Sequence, residues 1–377
     1  MPLAICAVLY GIGVRCRMGA YGSGILRGNV LPGFVVSVGN LTAGGTGKTP
    51  AVIMLARWAL GQGYRVAILS RGYGAQTRDE VLQVSDGNGT YADARLAGDE
   101  PSLLARSVPE VPVVISRDRY RAGMYARKHF GSKMFILDDG FQHLRLKRDL
   151  NFLLMDATDP FGNGHLLPWG PLREPLTQLR RADAVILTRF NGDWDENHSV
   201  QHAHLKAPYK RATAPWRDEG DGQDVAGSTS PSQRTLAWLK KTYPFIPVFC
   251  ADHTPDKVVF PRSGAVYGPG VLKERRVVGF AGIAHPERFE NTLKGMGAHV
   301  IRFLRYHDHY PFTEKDMKAL VEVKEETGAD CLLTTEKDWM RIAPVAPGYE
   351  DLAYVSIRFL MLPDQDEVFR MIKDGQR

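Results

Sequence analysis

The 377-residue sequence predicts an α/β fold of the P-loop NTPase type: a mostly parallel sheet with helices on both faces, plus a smaller α/β domain at the C-terminal end. Three observations predict it. The apolar run Phe34-Val-Val-Ser-Val38 leads into a glycine loop ending at Lys48-Thr49, and a helical pattern follows at once. A second apolar run, Lys133-Met-Phe-Ile-Leu137, ends in the acid pair Asp138-Asp139. Elsewhere short apolar runs alternate with helical stretches, as in βα units with a parallel sheet.

The strand–glycine loop–helix order suits phosphate binding, because glycines let backbone N–H groups turn inward around an anion and the helix N-terminus adds partial positive charge. Thr42, Ala43, Gly44, Gly45, Thr46 and Gly47 form the cradle, with Lys48 placed for the outer phosphates and the Thr49 hydroxyl for Mg²⁺. The pattern GxxxxGK[ST] wants glycine at position 42, and this chain has Thr42. From Lys48 to Leu60, apolar residues at near-helical spacing, Pro50 in the first turn, and Gly61 and Gly63 at the end mark a buried helix. Arg65 to Ser70 is a continuous apolar strand that delivers Arg71 and Tyr73 at its carboxyl end, where ligands of open α/β sheets collect.

Asp99, in Ala97-Gly-Asp-Glu-Pro101, stands before a helix either as a cap or as a carboxylate aimed into a cleft. Strand Pro112 to Ser116 releases Arg117, Arg119 and Arg121, a set that suits a substrate phosphate or a solvated helix face. Four apolar residues running into Asp138 form a Walker-B arrangement, whose carboxylate holds Mg²⁺ directly or through water. Strands at Asn151–Met155 and Ala184–Thr188 flank a Pro/Gly-rich loop, Leu166 to Pro175, that offers Arg173 and Glu174.

The second αβ series has strands at Phe245–Cys250, Arg276–Phe280, Val300–Leu304, Cys331–Thr334 and Ala353–Ile357, with helices near 289–296, 313–327 and 369–372. His285 follows a strand directly. His307-Asp-His309 resembles a ligand pair, but an HxH on a loop is read here as structural. The expected partition is an apolar N-terminal membrane-surface helix at 1–27, a nucleotide-binding domain at 28–192, a polar insertion at 193–242 with exposed His202 and His204, and a smaller domain at 243–377 whose last helix can pack back on the first.

The composition is that of a globular chain, 44% hydrophobic and 24% charged, long enough for more than one core. The net charge of +6 is mild and spread out, so it points to an anionic lipid or a phosphorylated substrate before nucleic acid, and no obligate protein partner is called for. Cys6, Cys16, Cys250 and Cys331 make no CxxC pair, which fits a reducing compartment. The apolar start, Met1 to Val14, is too short to span a bilayer and lacks a signal-peptide n-region and cleavage site. Followed by Arg15, Arg17 and Arg27, it suits a helix lying in an anionic membrane interface, the alternative being a helix packed on the core.

A phosphate loop alone leaves motors, switches and kinases open. Partner-regulated ATPases of the deviant type carry a lysine where this chain has Ala43, and Thr335-Glu-Lys-Asp338 resembles a guanine-reading TKxD only superficially, so GTP stays open. A kinase leads, because acid, base and cation candidates are all present; the alternative is a P-loop ATPase acting as a nucleotide-driven switch or chaperone at the membrane.

Ser37-Val-Gly-Asn-Leu-Thr-Ala-Gly-Gly-Thr-Gly-Lys-Thr-Pro50, Ser70-Arg-Gly-Tyr-Gly74, Gly98-Asp-Glu-Pro101, Asp138-Asp-Gly-Phe-Gln-His143, Leu172-Arg-Glu-Pro175, Gly282-Ile-Ala-His-Pro286 and Thr334-Thr-Glu-Lys-Asp338 together resemble the tetraacyldisaccharide 4′-kinase family of lipid A synthesis, over nearly the whole chain. The resemblance implies transfer of the ATP γ-phosphate, with Mg²⁺, to the 4′-hydroxyl of a tetraacyldisaccharide 1-phosphate. It implies a peripheral protein on the cytoplasmic face of the bacterial inner membrane. It implies Asp99 as general base with His285 as partner, Lys48 on the phosphates, and Thr49, Asp138, Asp139 and Glu174 on the metal side. Arg71, Tyr73, Glu100, Arg119, Gln142, His143 and Arg173 then face the acceptor. The Thr42 departure is shared by that family.

Overall fold

The computed structural model describes residues 2–376 apart from 78, 90, 93, 191–229 and 347. Most of the polar insertion, with His202 and His204, therefore lies outside the described residues. In chain order the elements are α1 (Pro2–Gly22), β1 (Phe34–Gly39), α2 (Lys48–Gly61), β2 (Val66–Ser70), β3 (Leu82–Ser85), α3 (Ala94–Ala97), α4 (Asp99–Ser107), β4 (Val113–Ile115), α5 (Arg119–Phe130), β5 (Met134–Asp138), β6 (Leu150–Asp156) and β7 (Ala184–Thr188). There follow α6 (Pro231–Thr242), β8 (Val248–Phe260), β9 (Ala265–Tyr267), β10 (Arg276–Ala281), α7 (Pro286–Gly295), β11 (His299–Arg305), α8 (Glu314–Thr327), β12 (Cys331–Thr335), α9 (Glu336–Ile342), β13 (Leu352–Met361) and α10 (Gln365–Gly375).

These elements form two compact units, one of Met1–Ala51, Ser132–Asp252 and Leu360–Arg377, the other of Val52–Gly131 and His253–Phe359. The partition differs from the one read from sequence, which kept residues 52–131 with the glycine loop. What ties them to the C-terminal half is α4 lying against α9, reinforced by the side-chain pairs described below.

In the first unit β1 runs parallel between β5 and β6, with β7 parallel beyond β6 and the start of β8 beyond β7. The strands are near-continuous apolar runs because both faces are covered, and β5 and β7 are buried along their full length. Register does the positioning: Val38 of β1 stands opposite Asp138 of β5, so the acid pair emerges beside the turn that opens the glycine loop. One core gathers Phe141, Leu153, Phe161, Leu179, Val185 and Leu236. α6 begins at a Ser230–Gln233 capping box, a helix start that the polar surroundings hid from the sequence reading. At the chain end Gly375 lies so close to Phe34 that a Cβ there would come within 2.9 Å of its ring, which sets α10 beside β1.

α1 is longer than the apolar run that predicted it. It continues through Arg15 and Arg17 to Gly22, 21 residues in all, and by length and composition it could cross a membrane. Ala7 and Gly11 are buried while Leu3, Ile5, Val8, Leu9 and Ile12 are exposed.

In the second unit β2 pairs parallel with β4, and β3 closes that edge antiparallel. A separate parallel set runs β11, β10, β12, β13, with helices such as α7 and α8 over its strands. β8 outruns its predicted end at Cys250 because its far end forms an antiparallel pair with β9. Here α8 starts at a Thr313–Asp316 capping box and stops at Gly328 in the left-handed conformation.

Gly39 joins the two loops of the first unit physically. A Cβ there would stand 2.5 Å from Phe141 Cβ and 2.7 Å from the Phe141 nitrogen. Gly39→Ala is therefore expected to destabilise the protein by about 1–3 kcal/mol through overpacking. Urea unfolding of the full chain checks it; an unchanged midpoint would mean that β1 and the turn at Asp138–Phe141 have room to separate.

Candidate functional site

The candidate residues collect in two clusters, one in each unit. In the first, Gly44 and Gly47 hold φ of 118° and 84°, the left-handed side that turns a loop around an anion without steric cost. Asn40, fully buried, splints the loop: its amide donates to the Thr42 carbonyl at 2.7 Å, and its Oδ1 accepts from Lys48 Nζ at 3.1 Å. The Pro/Gly-rich loop clamps the first shoulder, with Ala43 N donating to Pro171 O, Arg173 N donating to Leu41 O, and Thr42 bridging Leu172.

Two charges meet at Asp139, a non-glycine residue at φ 51°. Arg173 donates to both its carboxylate oxygens at 2.9 and 2.7 Å, and Lys48 Nζ lies 3.6 Å away. Asp138 is buried at the end of β5, and Thr49 is half-buried in the first turn of α2. Gln142 donates to the Asn40 carbonyl at 2.8 Å, and the His143 carbonyl accepts from Arg148.

Glu174, next to Arg173 in the chain, is engaged by arginines. It is 3% exposed, and its carboxylate accepts from Arg181, whose guanidinium also lies over the Phe141 ring at 4.3 Å. Burial pushes the Glu174 carboxyl up against the pull of Arg181, Arg17, Arg148 and Arg173. Expected on the metal side, it makes the contacts of a counter-charge to an arginine cluster.

The second cluster is built on Asp99. Gly98, at φ 87°, approaches the Tyr73 carbonyl so closely that a Cβ would stand 2.6 Å from it, and the chain then enters α4 with Asp99 in the first turn. No side-chain cap bond forms at that N-terminus. Instead Asp99 Oδ2 lies 3.0 Å from His309 Nδ1 and 3.2 Å from Arg341 Nε. Burial alone would raise the Asp99 carboxyl, but the His309 hydrogen bond and the charges of Arg341, His309 and Lys337 outweigh it and leave the group below its ordinary value. Asp99 is thus an acceptor, so the Nδ1 of His309 carries the proton it shares. Lys337 Nζ stands 3.5 Å from the other ring nitrogen and 3.1 Å from Glu100 Oε1.

His309, not His285, is the histidine on Asp99. His285 is exposed at the start of α7, where its Nδ1 meets Glu287 Oε1 at 3.1 Å. The HxH loop read as merely structural therefore supplies a site residue. Tyr73 is 68% exposed with its ring 5.7 Å from that of His309, Arg71 is exposed after β2, and Arg119 is buried in the first turn of α5.

Asp338 closes the guanine question. At 0% exposure its carboxylate accepts from the Gly282 N–H, from Thr335 Oγ1 at 2.6 Å and from Arg341 at 2.6 Å, which leaves it nothing to offer a base. Arg341 also donates to the Gly282 carbonyl, and so connects Asp338 to Asp99.

Comparison with known proteins finds relatives along nearly the whole chain. The family model described as tetraacyldisaccharide-1-P 4′-kinase matches residues 1–375. A tetraacyldisaccharide 4′-kinase of Syntrophus aciditrophicus is 38% identical over 377 residues, covering 99% of this chain and 93% of the relative. One of Geobacter metallireducens is 41% identical over 343 residues, 91% of this chain and 88% of the relative. A crystal structure of the "apo" form of LpxK from Aquifex aeolicus in complex with ATP is similar at a TM-score of 0.71 and 31% identity, covering 98% of this chain and 97% of that one.

Burial pushes the Asp338 carboxyl up against the pull of Arg341, Thr335 and Gly282. Arg341→Met would leave it without its nearest cation while Thr335 and Gly282 still donate, a loss of roughly 3 kcal/mol, the low end for breaking a buried pair. Chemical denaturation of the variant checks this; a loss below about 1 kcal/mol would mean that the pair behaves as a surface contact.

Proposed function

The chain belongs to the tetraacyldisaccharide-1-P 4′-kinase family, and from that membership we propose how its residues divide the work. The enzyme is an ATP-dependent lipid kinase of lipid A synthesis, moving the γ-phosphate to the 4′-hydroxyl of a tetraacyldisaccharide 1-phosphate. In this reading the backbone N–H groups from Gly44 to Thr49 cradle the ATP phosphates, the Ala43 N–H being committed to the Pro171 carbonyl. Lys48, aimed by Asn40 and Asp139, supplies the point charge on the outer ones.

Asp99 is assigned the acceptor proton. The single observation that carries this is its contact set: a carboxylate held below its ordinary pKa by His309 and Arg341 is charged at neutral pH and fixed in direction. His309 takes the role expected of His285, orienting Asp99 through Nδ1, with Lys337 at its other nitrogen. Since phosphoryl transfer proceeds through a loose transition state, the proton is taken late, and position matters more than base strength.

Mg²⁺ fits the residues present. Among the described residues no group of three His, Cys, Asp or Glu side chains could form a dedicated cage, and Mg²⁺ is commonly held by one or two carboxylates together with substrate phosphates and water. Asp138, Asp139 and the Thr49 hydroxyl are the oxygen donors assigned to it. When bound, the ion neutralises charge on the phosphates.

The acceptor is a lipid, and α1 suits the cytoplasmic face of the inner membrane as a peripheral contact. Its exposed Leu3, Ile5, Val8, Leu9 and Ile12 support this, as does the +6 charge toward anionic lipids. Arg71, Tyr73, Glu100, Gln142, His143 and Arg173 are assigned to the acceptor side.

Incubating the protein with γ-labelled ATP and tetraacyldisaccharide 1-phosphate should place label on the lipid. Label released only as inorganic phosphate would instead favour a nucleotide-driven switch. Asp99→Ala should lower kcat by about 10²–10⁴ with ATP affinity nearly unchanged; equal kcat would remove Asp99 from the chemistry. The exposed face is tested separately: replacing Leu3, Ile5, Val8 and Leu9 with Ser keeps the buried side of α1 and should move the protein from the membrane pellet to the soluble fraction. A variant that pellets like the wild type would end that assignment.

A further inference from the structure

A phosphate loop that points its N–H groups inward must turn the carbonyls of the same peptides outward, and each needs a donor. Residues 171–173 engage the first shoulder of the loop. The second shoulder is met by the end of β7: Thr188 Oγ1 lies 3.1 Å from the Thr46 carbonyl, and Arg189 Nη2 donates to the Gly45 carbonyl at 2.7 Å. Thr188 is 0% exposed and its hydroxyl also reaches the Met155 carbonyl at 3.3 Å. Arg189 is keyed by Asp156, whose Oδ2 accepts from Nη1 at 2.6 Å while its Oδ1 accepts from both the N–H and the hydroxyl of Thr158. Register explains the closeness, since Asp156 of β6 stands opposite Thr188 of β7. Arg189 sits at φ 56°, a conformation that a residue with a Cβ adopts only where its surroundings demand it.

We propose that Thr188 and Arg189, with Asp156 setting the arginine, are positioning residues for ATP: they hold the Gly45 and Thr46 carbonyls outward so that the loop presents its N–H groups to the phosphates. The proposal rests on the kinase reading and names residues that no motif in the sequence singled out. They act through the loop and touch no reacting atom. Arginine suits the task because one planar fork meets a carboxylate and a carbonyl at once, which a lysine ammonium cannot do with the same geometry.

The test uses the full chain, direct titration with ATP, and steady-state kinetics with both substrates. Arg189→Ala is expected to weaken ATP binding about tenfold, equivalent to about 1.4 kcal/mol. KM for the lipid should stay within about twofold, the split that separates nucleotide positioning from general damage. Arg189→Lys should recover part of the loss, Asp156→Asn should weaken ATP binding in the same direction, and Asp156→Asn added to Arg189→Ala should cost nothing further. Thr188→Val, equal in shape but lacking the donor, should weaken ATP in the same direction. Wild-type ATP affinity in Arg189→Ala and Thr188→Val would overturn the proposal, as would losses shared equally by ATP and lipid that follow the fall in melting temperature. Should Thr188→Val fail to fold, the Arg189 pair decides. ATP titration needs no lipid, so a wild-type protein that binds ATP without labelling lipid would end the kinase reading and leave this measurement standing.

Discussion

The backbone must account for every polar group it turns, and in this protein that constraint is heaviest at the glycine loop. Offering N–H groups to an anion strips the loop of the internal hydrogen bonds that a helix or strand would make, so its stability has to come from outside. Here the donors and acceptors are supplied in order along the loop: the Asn40 amide for the Thr42 carbonyl, Pro171 O for the Ala43 N–H, and the β7 end for Gly45 and Thr46. The parallel register of β1, β5, β6 and β7 brings those residues to the same edge. A loop so held meets a phosphate already shaped, and the ordering cost is met at folding instead of at binding.

The second unit solves a different problem, keeping a carboxylate charged and aimed. Burial works against ionised Asp99, and the hydrogen-bonded His309 together with Arg341 and Lys337 reverses the balance. Arg341 is itself fixed by Asp338, which burial pushes the other way. The two carboxyls are thus shifted in opposite directions although they share one guanidinium. Asp338 serves structure, spending its acceptors on Thr335, Gly282 and Arg341, while Asp99 keeps an exposed fraction.

What the sequence made legible is what is local. The strand–glycine loop–helix order, the acid pair after an apolar run and the parallel strands are written in stretches of a few residues, and each stands where it was expected. Contacts across the chain were not legible. His309 lies 210 positions from Asp99, and nothing in the local pattern distinguishes its loop from that of His285. The Glu174–Arg181 pair was not legible either: Arg181 is a helical turn and more away, on a short stretch with no motif. The Thr335–Asp338 run shows the opposite failure, a familiar spelling whose carboxylate is wholly used within the fold. α1 outlasted its apolar run because arginine and methionine are good helix formers, so hydropathy marked the face and not the length.

α1 brings the two kinds of interaction into one comparison of magnitudes. Its polar contacts with the first unit are specific: Tyr10 donates to the Arg173 carbonyl and Arg17 to the Gln142 carbonyl, each at 2.8 Å. Those two residues also send side chains to Asp139 and Asn40, so the helix is tied to the same pair of residues that brace the glycine loop. Two exposed hydrogen bonds contribute about 1–3 kcal/mol together. Moving the exposed Leu3, Ile5, Val8, Leu9 and Ile12 out of water would contribute about 1.5–3 kcal/mol for each side chain fully covered. The apolar term is several times the polar one, so strength of attachment to a lipid surface would come from the leucine and isoleucine face. The tyrosine and the arginine act within the unit, and fix how α1 lies against the two residues that brace the glycine loop.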